Sequence, residues 1–258
     1  MISGLSWRHG ILIGLLVMGM VFPLFLDPVP QDPRYHSFAD TTTFLGIPNF
    51  LNVTTNVCFI LVGILGLLAS RSKGFMVDST DMRLTYHIFF VGVIFVGVGS
   101  AYYHLNPTNA RLVWDRLPMT VSFMALLAMI VGDCLSPTIG KALLWPLIGI
   151  GVGSIAYWHV TELWDVGDLR PYGLVQFLPM VLIPLMLGLF GTRSLRRPFL
   201  LVSLGTYLLA KNAEFFDAEL YAITGFISGH SLKHVIAALA TAWVILACKK
   251  KEGTFTDR

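Results

Sequence analysis

Ser100 and His104 stand four residues apart in GVGSAYYHLNP, and His230 and His234 four apart in ISGHSLKHVIAALA. Asp115 follows His104 by eleven residues, in WDRLPM. On a helix, side chains four apart share a face. Two imidazoles from one helix and a third from another supply three ligands of a tetrahedral zinc and leave the fourth position to water, which is the arrangement of a catalytic site rather than a closed structural one. Zinc held in this way lowers the pKa of its water to about 7 and polarises a carbonyl, and a carboxylate such as Asp115 can take the proton. Ser100, one turn from His104, is placed to donate to that water or to a developing oxyanion.

Each of these residues also has a plainer reading. Paired histidines at i,i+4 serve haem as well as zinc. Asp115 can pair with Arg111 or Arg116, or face the positive end of its helix, and Ser100 alone is a packing residue. His9, His36 and His87 read as hydrogen-bonded residues at helix ends. His159 in YWHVTELWDVGD, with Glu162 one turn on, is either a partner of the site or part of an interfacial aromatic belt. Lys211 and Glu214, three apart in YLLAKNAEFFDAEL, form a local ion pair, or support the site or a lipid headgroup. Asp27, Asp32 and Asp40 share the loop before residue 50 without EF-hand spacing, which leaves a hard cation there weakly supported.

The elements that position these residues are membrane helices. Of the 258 residues 55% are hydrophobic and 13% charged, against about 25% charged in a soluble domain. Spans of roughly 20 apolar residues are expected at about 11–26, 50–69, 84–104, 112–132, 141–159, 172–190, 198–213 and 228–248. These form an all-α bundle of eight spans joined by short connections, in which Gly149 and Gly153 offer a small-xxx-small face for close helix contact. The first run lacks a small-x-small cleavage site in FLDPVPQDP and reads as a retained anchor. Net charge is +3, with no basic run except Lys249 to Lys251, so no nucleic-acid partner is expected. Cys58, Cys134 and Cys248 form no CxxC and indicate neither a disulfide framework nor a thiolate metal site.

Counting Lys and Arg in alternate connections gives twelve on the side of both termini and five on the other, namely Arg34, Arg111, Arg116, Arg170 and Lys211. Both termini are therefore expected in the cytoplasm. All five chemistry-bearing residues fall at helix ends on the opposite, extracytoplasmic side. Ionisable groups in a span are costly and are functional candidates by default.

Taken together, Ser100-x-x-x-His104, Asp115 in WDRLPM and His230-x-x-x-His234 resemble the CREST superfamily of membrane hydrolases, and within it the alkaline ceramidases and their bacterial relatives. NFLNVTTNVCFILVG is also similar to the first helix of that seven-helix core. The resemblance covers about residues 36–248, leaving 1–35 as an added anchor helix and loop and 249–258 as a basic cytoplasmic tail. It implies zinc on His104, His230 and His234, assistance by Asp115, and support from Ser100. It implies hydrolysis of the N-acyl amide bond of a ceramide-like membrane lipid to a long-chain base and a fatty acid, in a bacterial inner membrane. The calcium-binding segment of the eukaryotic members is reduced to Asp40, with Asn49 where a carboxylate is expected, so calcium activation is not expected. The superfamily also holds seven-helix receptors, so the alternative is a zinc-containing lipid sensor with little turnover. A metal or haem transporter, by contrast, would string its ligands along a path near the midplane.

Overall fold

The computed structural model describes residues 6–72, 75 and 80–249. The readings that rest on Lys73, Lys250, Lys251 and Arg258 lie outside the described residues. The described chain is helical: α1 (Trp7–Val21), α2 (Phe50–Thr54), α3 (Val57–Ala69), α4 (Thr80–Leu105), α5 (Asn109–Cys134), α6 (Pro137–Leu163), α7 (Arg170–Leu189), α8 (Arg197–Phe215), α9 (Asp217–Thr224) and α10 (Gly229–Ala247). No strand occurs among these residues.

Seven segments are long and apolar enough to cross a membrane, including α1 with its 3-10 extension and α2 with α3 as one unit. The eighth expected span, 198–213, is helix α8, of 19 residues. It is not in that set, because Lys211, Asn212 and Glu214 lower the apolarity of its last turns. The chain is an all-α integral membrane protein.

Helices α3, α4, α5, α7, α8 and α10 all line one central cavity, and α6 packs outside it on α5 and α7. Helix α1 has no buried residue and packs on α7, where the Leu178 side chain stands over Gly19. Its attachment is polar: Arg170 is ion-paired to Asp168 at 2.8 Å, and its Nη1 donates to the carbonyls of Pro23 (3.2 Å) and Leu26. Arg170 beside it holds the Asp168 carboxyl below the usual carboxylate range.

The expected close contact at Gly149 and Gly153 does not form. A Cβ at either would meet nothing within 4 Å, so these glycines lie on a face of α6 that no helix covers. Close approaches occur instead where small residues face each other. A Cβ on Gly140 would lie 2.5 Å from the Gly132 Cα, and one on Gly99 only 1.9 Å from the Trp114 carbonyl oxygen. The second contact has a local cause. Proline lacks an N–H, so Pro118, four residues on, leaves the Trp114 carbonyl without its helical donor. Gly99 gives that carbonyl room, and α4 meets α5 closely at the level of Ser100 and Asp115.

Candidate functional site

The C-terminal end of α4 and the N-terminal end of α10 bring His104, His230 and His234 together, and the N-terminal end of α5 adds Asp115. The three imidazoles are 1%, 5% and 3% exposed, and their ligand atoms lie within 4.8 Å of one another. The Phe38 ring closes over them, 4.7 Å from His104 and 4.6 Å from His230.

Hydrogen bonding decides which nitrogens are free. Thr55 donates its hydroxyl hydrogen to the Leu51 carbonyl at 2.6 Å, so its oxygen can only accept from His234 Nδ1, 3.0 Å away. The His234 proton is thereby placed on Nδ1. Nε2 keeps its lone pair, and it is buried without a partner, as is His104 Nδ1. Buried polar atoms are normally paired, and a metal-binding histidine characteristically donates its other ring N–H to an oxygen. Three buried histidines, two of them with an unpartnered nitrogen, fit a metal ion in a way that fully hydrogen-bonded core histidines do not. Lys233 Nζ donates to His230 Nε2 at 3.0 Å and to Glu214 Oε1 at 2.7 Å, and Lys211 also pairs with Glu214. The Lys211–Glu214 pair is therefore part of a half-buried network that reaches the histidines rather than an isolated helix pair.

Asp115 is 9% exposed, and the Ser100 hydroxyl, 3% exposed, lies against its carboxylate. No ion pair with Arg111 or Arg116 forms. Arg111 turns to the Tyr102 ring, at 4.6 Å, and the Arg116 guanidinium sits among the Tyr35, Trp158 and Tyr172 rings at 5.2, 4.6 and 4.8 Å. Ser100, Asp115, Arg116, Lys211, Glu214, Lys233 and His234 line one cavity of about 480 Å³, whose remaining wall is largely apolar and reaches Ile130, Leu200 and Val244.

His159 is not brought to the histidine group, and its neighbour Glu162 instead accepts from the Gln31 backbone at 2.7 Å and from Trp158 Nε1 at 3.1 Å. Asp40 caps its own turn, accepting from the Thr42 N–H at 2.9 Å. The histidine triad is the one group of three or more potential metal-binding side chains among the described residues, and Asp40 is not in it. His9, His36 and His87 are hydrogen-bonded, to Ser6, to Tyr103 and Asn109, and to Ser70 respectively.

Asp217 was legible only as one acidic residue among several. It accepts from the His230 N–H at 2.6 Å and the Ala39 N–H at 2.9 Å, tying the loop before α2 to the start of α10. Asn49 donates to the His104 carbonyl at 2.8 Å. Gly229 lets α10 reach this position, since a Cβ there would lie 2.0 Å from the Ala213 carbonyl oxygen. The sequence signal for Gly229 and Asp217 was their nearness to His230. For Thr55 and Arg116 only the fold supplies one.

Fold and site define a polytopic helical membrane protein with a buried histidine triad, able to hold a metal ion, one member of which lines a largely apolar cavity. Residues 43–164 match the sequence model of the Ceramidase family, and over that segment the chain is similar to the ceramidases. The segment contains Ser100, His104 and Asp115, while His230 and His234 lie beyond it and reach the same site through the fold. Comparison with curated proteins gives no match.

Proposed function

We propose that the chain is a zinc-dependent intramembrane amidohydrolase that cleaves the N-acyl amide bond of ceramide-like lipids to a long-chain base and a fatty acid. One observation carries this reading: a buried histidine triad presents one member, His234, to the wall of a largely apolar cavity that Asp115 also lines. Zinc held by His104, His230 and His234 would supply Lewis acidity at the amide carbonyl and at a water molecule. Asp115 takes the proton of the attacking water and returns it to the departing amine nitrogen, so no proton is gained or lost over the reaction. Ser100 holds the Asp115 carboxylate in place. Glu214 and Lys233 orient His230. Phe38 and the loop tied down by Asp217 keep bulk water from the histidines.

The apolar part of the cavity accepts the acyl chain. Its wall runs along α5 from Asp115 to Ile130, fifteen residues, or about 22 Å of helix. The excess of basic residues beside the termini supports a cytoplasmic location for both ends and an extracytoplasmic site, as in a bacterial inner membrane. Asp165→Cys should then react with a membrane-impermeant thiol reagent.

Purified protein incubated with N-acyl sphingosine should release free base and fatty acid in equal amounts, read by mass spectrometry. Asp115→Asn should keep its metal and lose turnover. Full turnover by that variant would remove Asp115 from the mechanism.

A further inference from the structure

Arg116 has no role in the chemistry above, and its surroundings are unusual for a cation. The side chain is 5% exposed, its Nη1 is buried without a partner, and it makes no ion pair with a described residue. The other cations of the cavity wall behave differently: Lys211 and Lys233 both bind Glu214. Tyr35, Trp158 and Tyr172 surround the guanidinium and offset part of its desolvation through their ring faces. Ring faces do not satisfy the N–H groups in the guanidinium plane, which call for oxygen acceptors in a fork geometry. A charge placed in this way is held ready for an anion.

The position of Arg116 restricts what that anion belongs to. It follows Asp115 directly in the chain, and both line the same cavity as Ser100 and His234. A lipid held in that cavity with its amide beside Asp115 can therefore present an oxyanion to Arg116. The acyl chain occupies the apolar length of the cavity, which places the oxyanion on the amine side of the amide.

We propose that Arg116 is a specificity-determining residue that binds a carboxylate or phosphate carried on the amine half of the substrate, so that among N-acyl lipids, ceramide-like ones included, those with such an anionic group bind more tightly than their uncharged counterparts. This rests on the amidohydrolase reading for the position of the amide, but the anion site can be measured without turnover. Planar, bidentate acceptance favours arginine over lysine at such a position.

The test uses the full-length protein in detergent with three probes: N-oleoylglycine, its uncharged methyl ester, and N-oleoyl phosphoethanolamine. Binding is read as thermal stabilisation, and hydrolysis separately as release of oleic acid. The wild type should bind at least one anionic probe about tenfold or more tightly than the ester, and the favoured probe distinguishes carboxylate from phosphate. Arg116→Gln should bring the ratio close to one, and Arg116→Lys should leave it intermediate. The Lys variant also serves as the folded control. An anionic preference that depends on Arg116, without hydrolysis of any probe, would uphold the anion site and leave the amidohydrolase reading to the N-acyl sphingosine assay. Equal binding of charged and uncharged probes by the wild type, or a preference that survives in Arg116→Gln, would overturn the proposal and leave the hydrolase reading to its own assay.

Discussion

Helix α5 buries two aspartates eighteen residues apart, Asp115 near one end and Asp133 near the other, each 9% exposed, and their surroundings are opposite. Asp133 is saturated: its carboxylate accepts from the backbone N–H groups of Arg193 (3.1 Å), Ser194 (2.9 Å) and Leu195 (3.3 Å) and so fixes the turn between α7 and α8. Asp115 has Ser100 against it and shares the cavity wall with His234 of the triad. Of the buried polar atoms without a partner among the described residues, His104 Nδ1, His234 Nε2, Arg116 Nη1 and Gln31 Oε1 belong to the triad or the cavity wall, whereas Asn56 Oδ1, His159 Nδ1 and Trp243 Nε1 lie outside both. A buried polar group whose needs the chain meets itself is structural, and one left open on a cavity wall is available to a ligand.

Substitutions at the two ends should therefore separate activity from stability. The largest effect is expected at the open end, where Asp115→Asn should lower lipid amide hydrolysis by about 10²- to 10⁴-fold while the unfolding temperature and bound metal stay near the wild type. Loss of metal in that variant would make Asp115 structural instead. Gly99→Ala comes next. Its methyl would collide with the Trp114 carbonyl, and parting α4 from α5 should misplace Ser100 against Asp115, costing on the order of a hundredfold in kcat. Gly149→Ala is its control, since nothing lies within 4 Å there. It should leave turnover alone and, by helix propensity, stabilise by about 0.5–1 kcal/mol. At the closed end, Asp133→Ala strips three backbone donors of their acceptor and should cost about 1–3 kcal/mol in thermal unfolding, with activity per folded molecule retained.

The smallest effect concerns the anchor of α1. The folded pKa of Asp168 lies below its ordinary value of 3.8 because Arg170 binds the carboxylate. A lowered carboxyl pKa contributes stability that is complete above the unfolded value and is lost as the pH falls through the folded one. The unfolding temperatures of wild type and Asp168→Asn should differ at neutral pH and draw together below pH 3.8. A constant gap would assign the effect to packing.

Much of the site was legible in the sequence because its spacing maps directly onto helix faces. His230 with His234, and Ser100 with His104, needed only the 3.6-residue period. Contacts between helices left no such mark. Gly149 and Gly153 have the pattern of a contact face and touch nothing, while Gly99 works through Pro118 and a carbonyl on the neighbouring helix. Arg116 looked like a counterion for Asp115. Adjacent residues point about 100° apart on a helix, and Arg116 turned instead to an aromatic enclosure built from α6, α7 and the loop before α2. His159 has the composition of a site residue, but α6 lies outside the ring of helices around the cavity.

The central claim is that the three histidines hold a metal ion. Elemental mass spectrometry of the chelator-free purified protein, set beside the His104→Ala, His230→Ala, His234→Ala triple variant, tests it most directly. About one zinc per chain in the parent and none in the folded variant is the predicted result. A parent without bound metal, or a variant that keeps it, would contradict the account.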